Sequence, residues 1–252
     1  AQEVREIACG LASLGFKSFD NLAIVGANRP HLYMAVVAAQ SLRGVPVPLY
    51  QDAVANEMVF MLDDAAIDFV VVEDQEQVDK LLECRELQLA QGEAHAIRHI
   101  IYDDPRGLRH YTQPGLMSFE QLRELGRAFE VDNRGFFDAA VASGVSSDVG
   151  VILYTSGTTG RPKGVIQTFR MMLANYLNIG LAVNLSGDDV LLNVLPLFHT
   201  AGINLYSSAV FMVGGSVLVA RAFDPDQALQ VLEKRATIFF GVPAVYQALL
   251  DH

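Results

Sequence analysis

The sequence predicts an α/β fold in which parallel sheets are covered by helices. Short apolar runs, such as residues 22–26, 69–72 and 190–194, alternate with segments of helical periodicity. Runs of this length between turn residues are typical of buried strands. Strands that alternate with helices form parallel sheets, because each helix returns the chain to the same end of the sheet. The hydrophobic share of 51% supplies enough apolar side chains for such a core.

Helices follow the strands in the first half of the chain. Residues 31–43 predict a mostly apolar helix that ends at Gly44, since glycine is a common helix stop. A second helix is predicted to begin after Asp74, with Gln77 three residues further on, as in a capping box. A strand is also expected at 99–102, and residues 103–115, rich in proline and glycine, predict an irregular connection.

The same alternation continues in the second half. Strands are predicted at 150–154, 190–194, 216–220 and 237–241, with helices at 168–184, after Asp224 with Pro225 at its first position, and from Pro243. Residues 142–149 are small and polar and predict a junction between lobes. We therefore expect a first α/β lobe at 1–142 and a second lobe at 143–252.

The net charge of −11 argues against broad binding of nucleic acid or of anionic membranes, which needs a basic surface. Two cysteines, Cys9 and Cys84, form no disulfide framework and no metal-ligand spacing, and indicate reduced thiols in a cytoplasmic protein. Residues 190–220 lack charged side chains but contain proline and paired glycines, so two strands flanking a helix are expected there instead of a membrane span. Peripheral attachment to a membrane stays open.

The segment YTSGTTGRPKGV (154–165) follows a predicted strand and points to phosphate binding. It combines three glycines, four serine or threonine residues and two cations in twelve positions. Its glycines allow backbone N–H groups to converge on one anion, and Lys163 adds a mobile positive charge. Residues 149–187 contain no Asp or Glu, which is unusual in so acidic a chain. The spacing does not match the P-loop of ordinary nucleotide hydrolases, and a polar surface loop is the alternative.

This segment resembles, nearly residue for residue, the phosphate-binding signature of the adenylate-forming (AMP-binding) superfamily. That group includes acyl-CoA synthetases, luciferase-like enzymes and adenylation domains of peptide synthetases. PLFHTAG (196–202) and FGVPAVY (240–246) resemble two further family segments and occur in the family's order. Segments of the first half are most similar to bacterial long-chain fatty acyl-CoA synthetases. The resemblance implies the large N-terminal domain of an adenylate-forming enzyme.

The resemblance also implies cofactors and site residues. It implies ATP, Mg²⁺ and coenzyme A, with a carboxylic acid, expected to be a fatty acid, as the substrate. The ATP phosphates would be held by Thr155, Ser156, Gly157, Thr158, Thr159, Gly160 and Lys163. Thr155 would also ligate Mg²⁺, which prefers oxygen ligands. His199 would lie near the reacting carboxylate, and Phe198, Gly202, Gly241, Val242 and Pro243 would shape the acyl pocket. The alternative for His199 is a hydrogen-bonded histidine at a helix start.

Later motifs of the family, with a Mg²⁺-binding Glu, a ribose-binding Asp and a Lys on a C-terminal domain, do not occur in this sequence. We therefore expect an N-terminal part of an acid–CoA ligase that is inactive alone. Two other interpretations stay open. One is a part of another branch, such as a domain that loads a carrier protein. The other is a non-catalytic nucleotide- or acyl-binding module. Association of the chain with itself is also left open.

Overall fold

The computed structural model describes residues 1–92, 96–155 and 161–252 of the chain. The chain forms two compact units. Unit 1 contains Ala1–Gly26 and His31–Phe169, and unit 2 contains Ala27–Pro30 and Arg170–His252. The division differs from the predicted boundary at 142/143, because residues 143–169 group with unit 1.

Unit 1 is built on a five-stranded parallel sheet with the order β2-β1-β3-β4-β5. Its strands are β1 Asn21–Val25, β2 Val45–Leu49, β3 Phe69–Val72, β4 His99–Tyr102 and β5 Leu116–Ser118. Its helices are α1 Gln2–Ser13, α2 Pro30–Ser41, whose first residue belongs to unit 2, α3 Ala55–Asp64, α4 Gln75–Gln91, α5 Phe119–Asp132 and α6 Phe136–Ala142. The predicted parallel α/β class is confirmed.

Both faces of this sheet are buried, as a parallel sheet requires. Val70 and Val72 of β3 join a core with Met58 of α3 and Leu81 of α4. The alternate β3 residues point to the other face and are also buried. On that face the ring of Phe69 packs edge-on against Phe16, with centroids 5.3 Å apart.

Asp74 caps α4 as predicted, but only half of the capping box forms. The Asp74 carboxylate accepts a hydrogen bond from the backbone N–H of Gln77 at 3.4 Å. The reciprocal bond is missing, since Gln77 Oε1 is buried without a partner among the described residues. The sequence pattern was therefore right about where α4 begins and wrong about the second bond.

A hairpin of two antiparallel strands completes unit 1. It consists of β6 Val149–Thr155 and β7 Lys163–Thr168, and β7 was not predicted as a strand. β6 lies alongside β2. Asp148, just before β6, forms an ion pair with Arg43 at 2.8 Å, and Gln40 of α2 donates to the carbonyl of Gly150. These contacts explain why the hairpin groups with the first unit.

The edge strand β2 contains two prolines, Pro46 and Pro48. The Val45 N–H donates to the carbonyl of Asp20, just before β1. Backbone groups alternate in direction along a strand, so the nitrogens of Pro46 and Pro48 face away from β1. Proline has no N–H, and this side of β2 therefore offers no donor at those positions.

Unit 2 contains a three-stranded parallel sheet with the order β10-β8-β9. Its strands are β8 Val190–Asn193, β9 Ser216–Val219 and β10 Ile238–Phe240. Its helices are α7 Phe169–Val183, whose first residue belongs to unit 1, α8 Ser207–Met212, α9 Pro225–Lys234 and α10 Pro243–Leu250, with a π-helical turn at Ala201–Leu205. The predicted caps form: Asp224 accepts from the Gln227 N–H at 2.9 Å, and Pro243 opens α10. No helix within the described ranges is both long and apolar enough to cross a membrane.

Candidate active site

The ends of the β6–β7 hairpin carry two of the predicted phosphate-binding residues. Thr155 ends β6 and Lys163 begins β7, and the two are paired across the ladder. The strands thus bring a hydroxyl and an ammonium group to the same end of the hairpin. The other predicted residues, Ser156, Gly157, Thr158, Thr159 and Gly160, lie outside the described residues.

Helix α3 contacts the chain near this end of the hairpin. The Tyr154 hydroxyl donates to Asp64 Oδ2 at 2.6 Å, and burial, together with this bond, raises the pKa of the Tyr154 phenol. The Arg161 guanidinium lies 5.5 Å from the centre of the Phe60 ring, within the range of a cation–π contact. Tyr154 precedes the predicted phosphate loop and Arg161 follows its centre, so α3 fixes the chain on both sides of that loop.

The charged and hydroxyl groups here are available to a ligand. Thr155 and Lys163 are exposed, and neither side chain has a hydrogen-bond or ion-pair partner among the described residues. An exposed lysine without a neighbouring carboxylate keeps its charge for an anion. A threonine hydroxyl without a partner suits a Mg²⁺ ion whose other ligands are phosphate oxygens and water. The residues present therefore fit a metal–nucleotide ligand.

The remaining predicted site residues follow the carboxyl ends of two neighbouring strands in unit 2. Asn193, the last residue of β8, is in register with Phe240, the last residue of β10. His199 follows β8, and Gly241 follows β10 directly. The connection after β8 touches the end of β10, where the Tyr206 ring lies 5.3 Å from the ring of Phe240. The crevice beyond the carboxyl ends of parallel strands is where α/β proteins bind ligands.

His199 is exposed and makes a local hydrogen bond. Its Nδ1 accepts from the backbone N–H of Ala201 at 3.1 Å, at the start of the π-helical turn. In the neutral imidazole the hydrogen is then on Nε2, which leaves an N–H donor for another group. The bond is the one expected for a histidine at a helix start, and it leaves the free nitrogen usable in a pocket.

Two of the predicted pocket glycines are required by close packing. A Cβ atom on Gly202 would lie 2.1 Å from the carbonyl oxygen of Pro196, and one on Gly241 would lie 2.8 Å from a methyl group of Val245. Phe198 is partly buried, Val242 is an exposed N-cap, and Pro243 follows it. Packing thus accounts for glycine at 202 and 241, and the role of these residues in an acyl pocket stays a prediction.

Buried asparagines support this region and were missed by sequence reasoning. Asn193, 4% exposed, donates to the carbonyl of Gly202 at 3.2 Å and accepts from the Leu195 N–H at 3.0 Å. Asn204 accepts from the Tyr176 hydroxyl at 3.0 Å. An amide at the end of a buried apolar strand must find partners, and this requirement was the available signal.

A cavity of about 200 Å³ in unit 2 does not involve these residues. It lies beneath α9 and is lined by Leu192, Leu218, Ala220, Ala228, Val231 and Arg235, among others. None of the predicted site residues contributes to its wall.

Together, the parallel sheets and the β6–β7 hairpin define an α/β protein whose predicted phosphate-binding segment begins at the end of β6 and ends in β7. The family described as AMP-binding enzyme matches residues 1–252. The chain belongs to this family.

Relatives with known names agree with this membership. The chain is 29% identical over its whole length to the feruloyl-CoA synthase of Amycolatopsis sp, and spans 44% of that protein. It is 26% identical to the long-chain-fatty-acid–CoA ligase ACSBG2 of Xenopus laevis, covering 99% of this chain and 33% of that one. The structure of ATP-bound MatB from Rhodopseudomonas palustris is similar with a TM-score of 0.73 and 25% identity, over 100% of this chain and 44% of that chain. The chain thus spans less than half the length of these relatives.

Proposed function

We propose that this chain supplies the phosphate-binding and acid-binding part of an ATP-dependent acid–CoA ligase. The observation that carries the proposal is the pairing of Thr155 with Lys163 at the end of a hairpin that α3 anchors. Membership of the AMP-binding enzyme family and the naming of relatives as CoA synthases and ligases support it.

The proposed reaction has two steps. A carboxylate oxygen attacks the α-phosphorus of ATP, the bond to the β-phosphate breaks, and pyrophosphate leaves. The coenzyme A thiol then attacks the acyl carbon and releases AMP. Charge neutralisation and positioning dominate the first step. Lys163 would hold the β- and γ-phosphates and favour departure of pyrophosphate. Bound Mg²⁺ would neutralise phosphate charge, with Thr155 as one of its ligands.

His199 would position the acid. Its Nε2–H faces away from the Nδ1 bond to Ala201 and can donate to a carboxylate oxygen. Such a hydrogen bond would orient the carboxylate and leave it able to act as the nucleophile. Phe198, Gly202, Gly241, Val242 and Pro243 would shape the wall that faces the rest of the acid.

The acid is proposed to be a fatty acid, as in the relatives named long-chain-fatty-acid–CoA ligase. The feruloyl-CoA synthase relatives favour an aromatic acid as a second candidate. The chain is also proposed to act in the cytoplasm. It is proposed to be inactive in adenylation by itself, since the sequence lacks the Glu and Asp motifs that the resemblance implies.

The test is acid-dependent exchange between ATP and pyrophosphate, with short, long and aromatic acids. The 252-residue chain should bind MgATP but show no exchange. A fusion to the remaining part of the Amycolatopsis feruloyl-CoA synthase should restore exchange. The acid that supports the fastest exchange would identify the substrate class. Failure to bind MgATP would contradict the phosphate-loop assignment. Binding without exchange or thioester formation in the fusion would support a non-catalytic module, and exchange by the chain alone would overturn its proposed inactivity.

A further inference from the structure

Asn28 makes three hydrogen bonds to the backbone of unit 2. Its Nδ2 donates to the carbonyl of Leu195 at 2.8 Å and to that of Ala220 at 3.2 Å. Its Oδ1 accepts from the N–H of Leu197 at 2.8 Å. Asn28 is 5% exposed and belongs to the short segment Ala27–Pro30 that forms part of unit 2.

These hydrogen bonds take the place of those that a neighbouring strand would make. Residues 194–200, which follow β8, have no ladder partner among the described residues. The Asn28 amide accepts from one residue and donates to the carbonyl two residues earlier, which is the pattern of a neighbouring parallel strand. Leu195 and Leu197 are 6% and 2% exposed, so water cannot readily satisfy these backbone groups. An unpaired buried carbonyl or N–H is costly, and Asn28 removes that cost.

The bonds lead directly to His199. Pro196 lies between the two residues that Asn28 holds, and its carbonyl accepts the N–H of His199 at 3.1 Å. The carbonyl of His199 accepts from the Gly202 N–H at 2.9 Å, and the Asn193 amide binds the carbonyl of Gly202. Asn28 and Asn193 therefore fix the two ends of the turn that carries Phe198 and His199.

We infer that Asn28 is a positioning residue that sets the orientation of the His199 imidazole toward the acid substrate. The inference rests on the proposed function for the role of His199, but the geometry that it predicts needs no substrate. An asparagine is required because the position needs a donor and an acceptor on one short planar group. Aspartate keeps the shape and removes the donor, leaving a carboxylate beside the carbonyls of Leu195 and Ala220.

The experiment is ¹⁵N NMR of the His199 ring and amide hydrogen exchange in Asn28→Asp. In the parent chain, His199 Nδ1 should have the shift of an unprotonated acceptor. In the variant we expect a mixture of tautomers, and exchange at Leu197, Ala201 and Gly202 about tenfold faster or more, the effect of losing one net hydrogen bond. Asn133→Asp, a change at an exposed asparagine that caps α5, is the matched control and should leave these signals unchanged.

The readout separates positioning from general stability. A merely structural role would lower the unfolding midpoint of Asn28→Asp and leave the His199 tautomer as in the parent, and that result would overturn the inference. If the variant does not fold, the test is made on the parent chain. An NMR coupling should be observed across the hydrogen bond between the Leu197 nitrogen and the Asn28 side-chain carbonyl. Absence of this coupling would overturn the inference. Neither measurement needs a substrate, so both can be interpreted even if the proposed ligase function is wrong.

Discussion

Lys163 combines a fixed backbone with a free charge. Its backbone is paired with Thr155, and the neighbouring residues Tyr154 and Arg161 contact α3. Its ammonium group is exposed, and the surrounding residues 149–187 contain no acidic side chain. An exposed positive charge of this kind is accessible to an anion.

Lys163→Ala should therefore weaken MgATP binding by about 10- to 100-fold, the value of a hydrogen bond to a charged group. The measurement is isothermal titration calorimetry on the parent and the variant. Lys17→Ala removes an exposed lysine elsewhere in unit 1 and should leave the affinity unchanged. Equal affinity in Lys163→Ala and the parent would count against the phosphate-binding role.

A second residue gives unit 1 a pH-dependent contact. His31 Nδ1 lies 2.6 Å from Asp103 Oδ1, and its ring stacks on Phe119 at 4.6 Å. The hydrogen bond to Asp103, partly opposed by burial, raises the pKa of His31 above its usual value of 6.5. The stabilisation is then fully present below the unfolded-state pKa near 6.5 and is lost as pH rises through the higher folded-state pKa.

His31→Gln should accordingly destabilise the protein at pH 6 and progressively less above neutrality, since the parent loses the charged contact there. Urea unfolding of parent and variant over a pH series tests this. The same series on exposed His110→Gln is the control. A difference between His31→Gln and the parent that stays constant with pH would contradict the prediction.

At the scale of elements, α1 and α5 pack closely against each other because glycines lie at their contact. A Cβ on Gly126 would lie 1.8 Å from the carbonyl oxygen of Glu6 and 2.8 Å from the nitrogen of Gly10. Next to this crossing, buried Glu6 forms ion pairs with Arg123 at 2.8 Å and Arg127 at 3.2 Å. Because Gly10 and Gly126 have no side chains, the two helices approach closely enough for Glu6 to form these ion pairs.

Gly126→Ala should lower the free energy of unfolding by about 1–3 kcal/mol or more, as expected for overpacking that separates two helices. Gly180→Ala in α7 is the matched control, because a Cβ there meets nothing within 4 Å. In that helix alanine should be neutral or stabilising by up to about 1 kcal/mol. Denaturant unfolding measures both, and a smaller loss for Gly126→Ala than for Gly180→Ala would refute the packing argument.

The sequence predicted those elements whose signals are local. The strands near 22–26 and 69–72, the Asp224 cap and the start of α10 all depend on residues within a few positions of one another. The strand β7 was missed because its first residues, Lys163 and Gly164, are poor strand formers, and pairing with β6 decides their conformation. Asn28 was missed because its partner Leu195 is 167 residues away, a distance that a single sequence does not reveal.

For the whole molecule, α7 leaves an apolar stripe exposed. Leu173, Leu177 and Leu181 recur every four residues and are 47%, 51% and 84% exposed. Three such leucines on one helical face form a patch of the kind that marks an association surface. The net charge of −11 opposes association of the chain with itself, but α7 carries none of the acidic residues.

The parent chain should therefore associate with itself as its concentration rises, and the triple change of Leu173, Leu177 and Leu181 to Gln should sediment as a monomer. Analytical ultracentrifugation of both proteins at low and high concentration tests this. Leu89→Gln, a change at a single exposed leucine of α4, should leave the association as in the parent. A parent that stays monomeric throughout would contradict the prediction.

The prolines of β2 have a consequence for how the β6–β7 hairpin is attached to the sheet. Because Pro46 and Pro48 offer no N–H on the side away from β1, β6 can lie alongside β2 without a regular backbone ladder between them. The hairpin is attached instead by side chains, through Gln40 to Gly150, Arg43 to Asp148 and Tyr154 to Asp64. The attachment of β6–β7 to unit 1 therefore depends on side-chain contacts and packing, whereas the strands of the five-stranded sheet are joined by backbone hydrogen bonds.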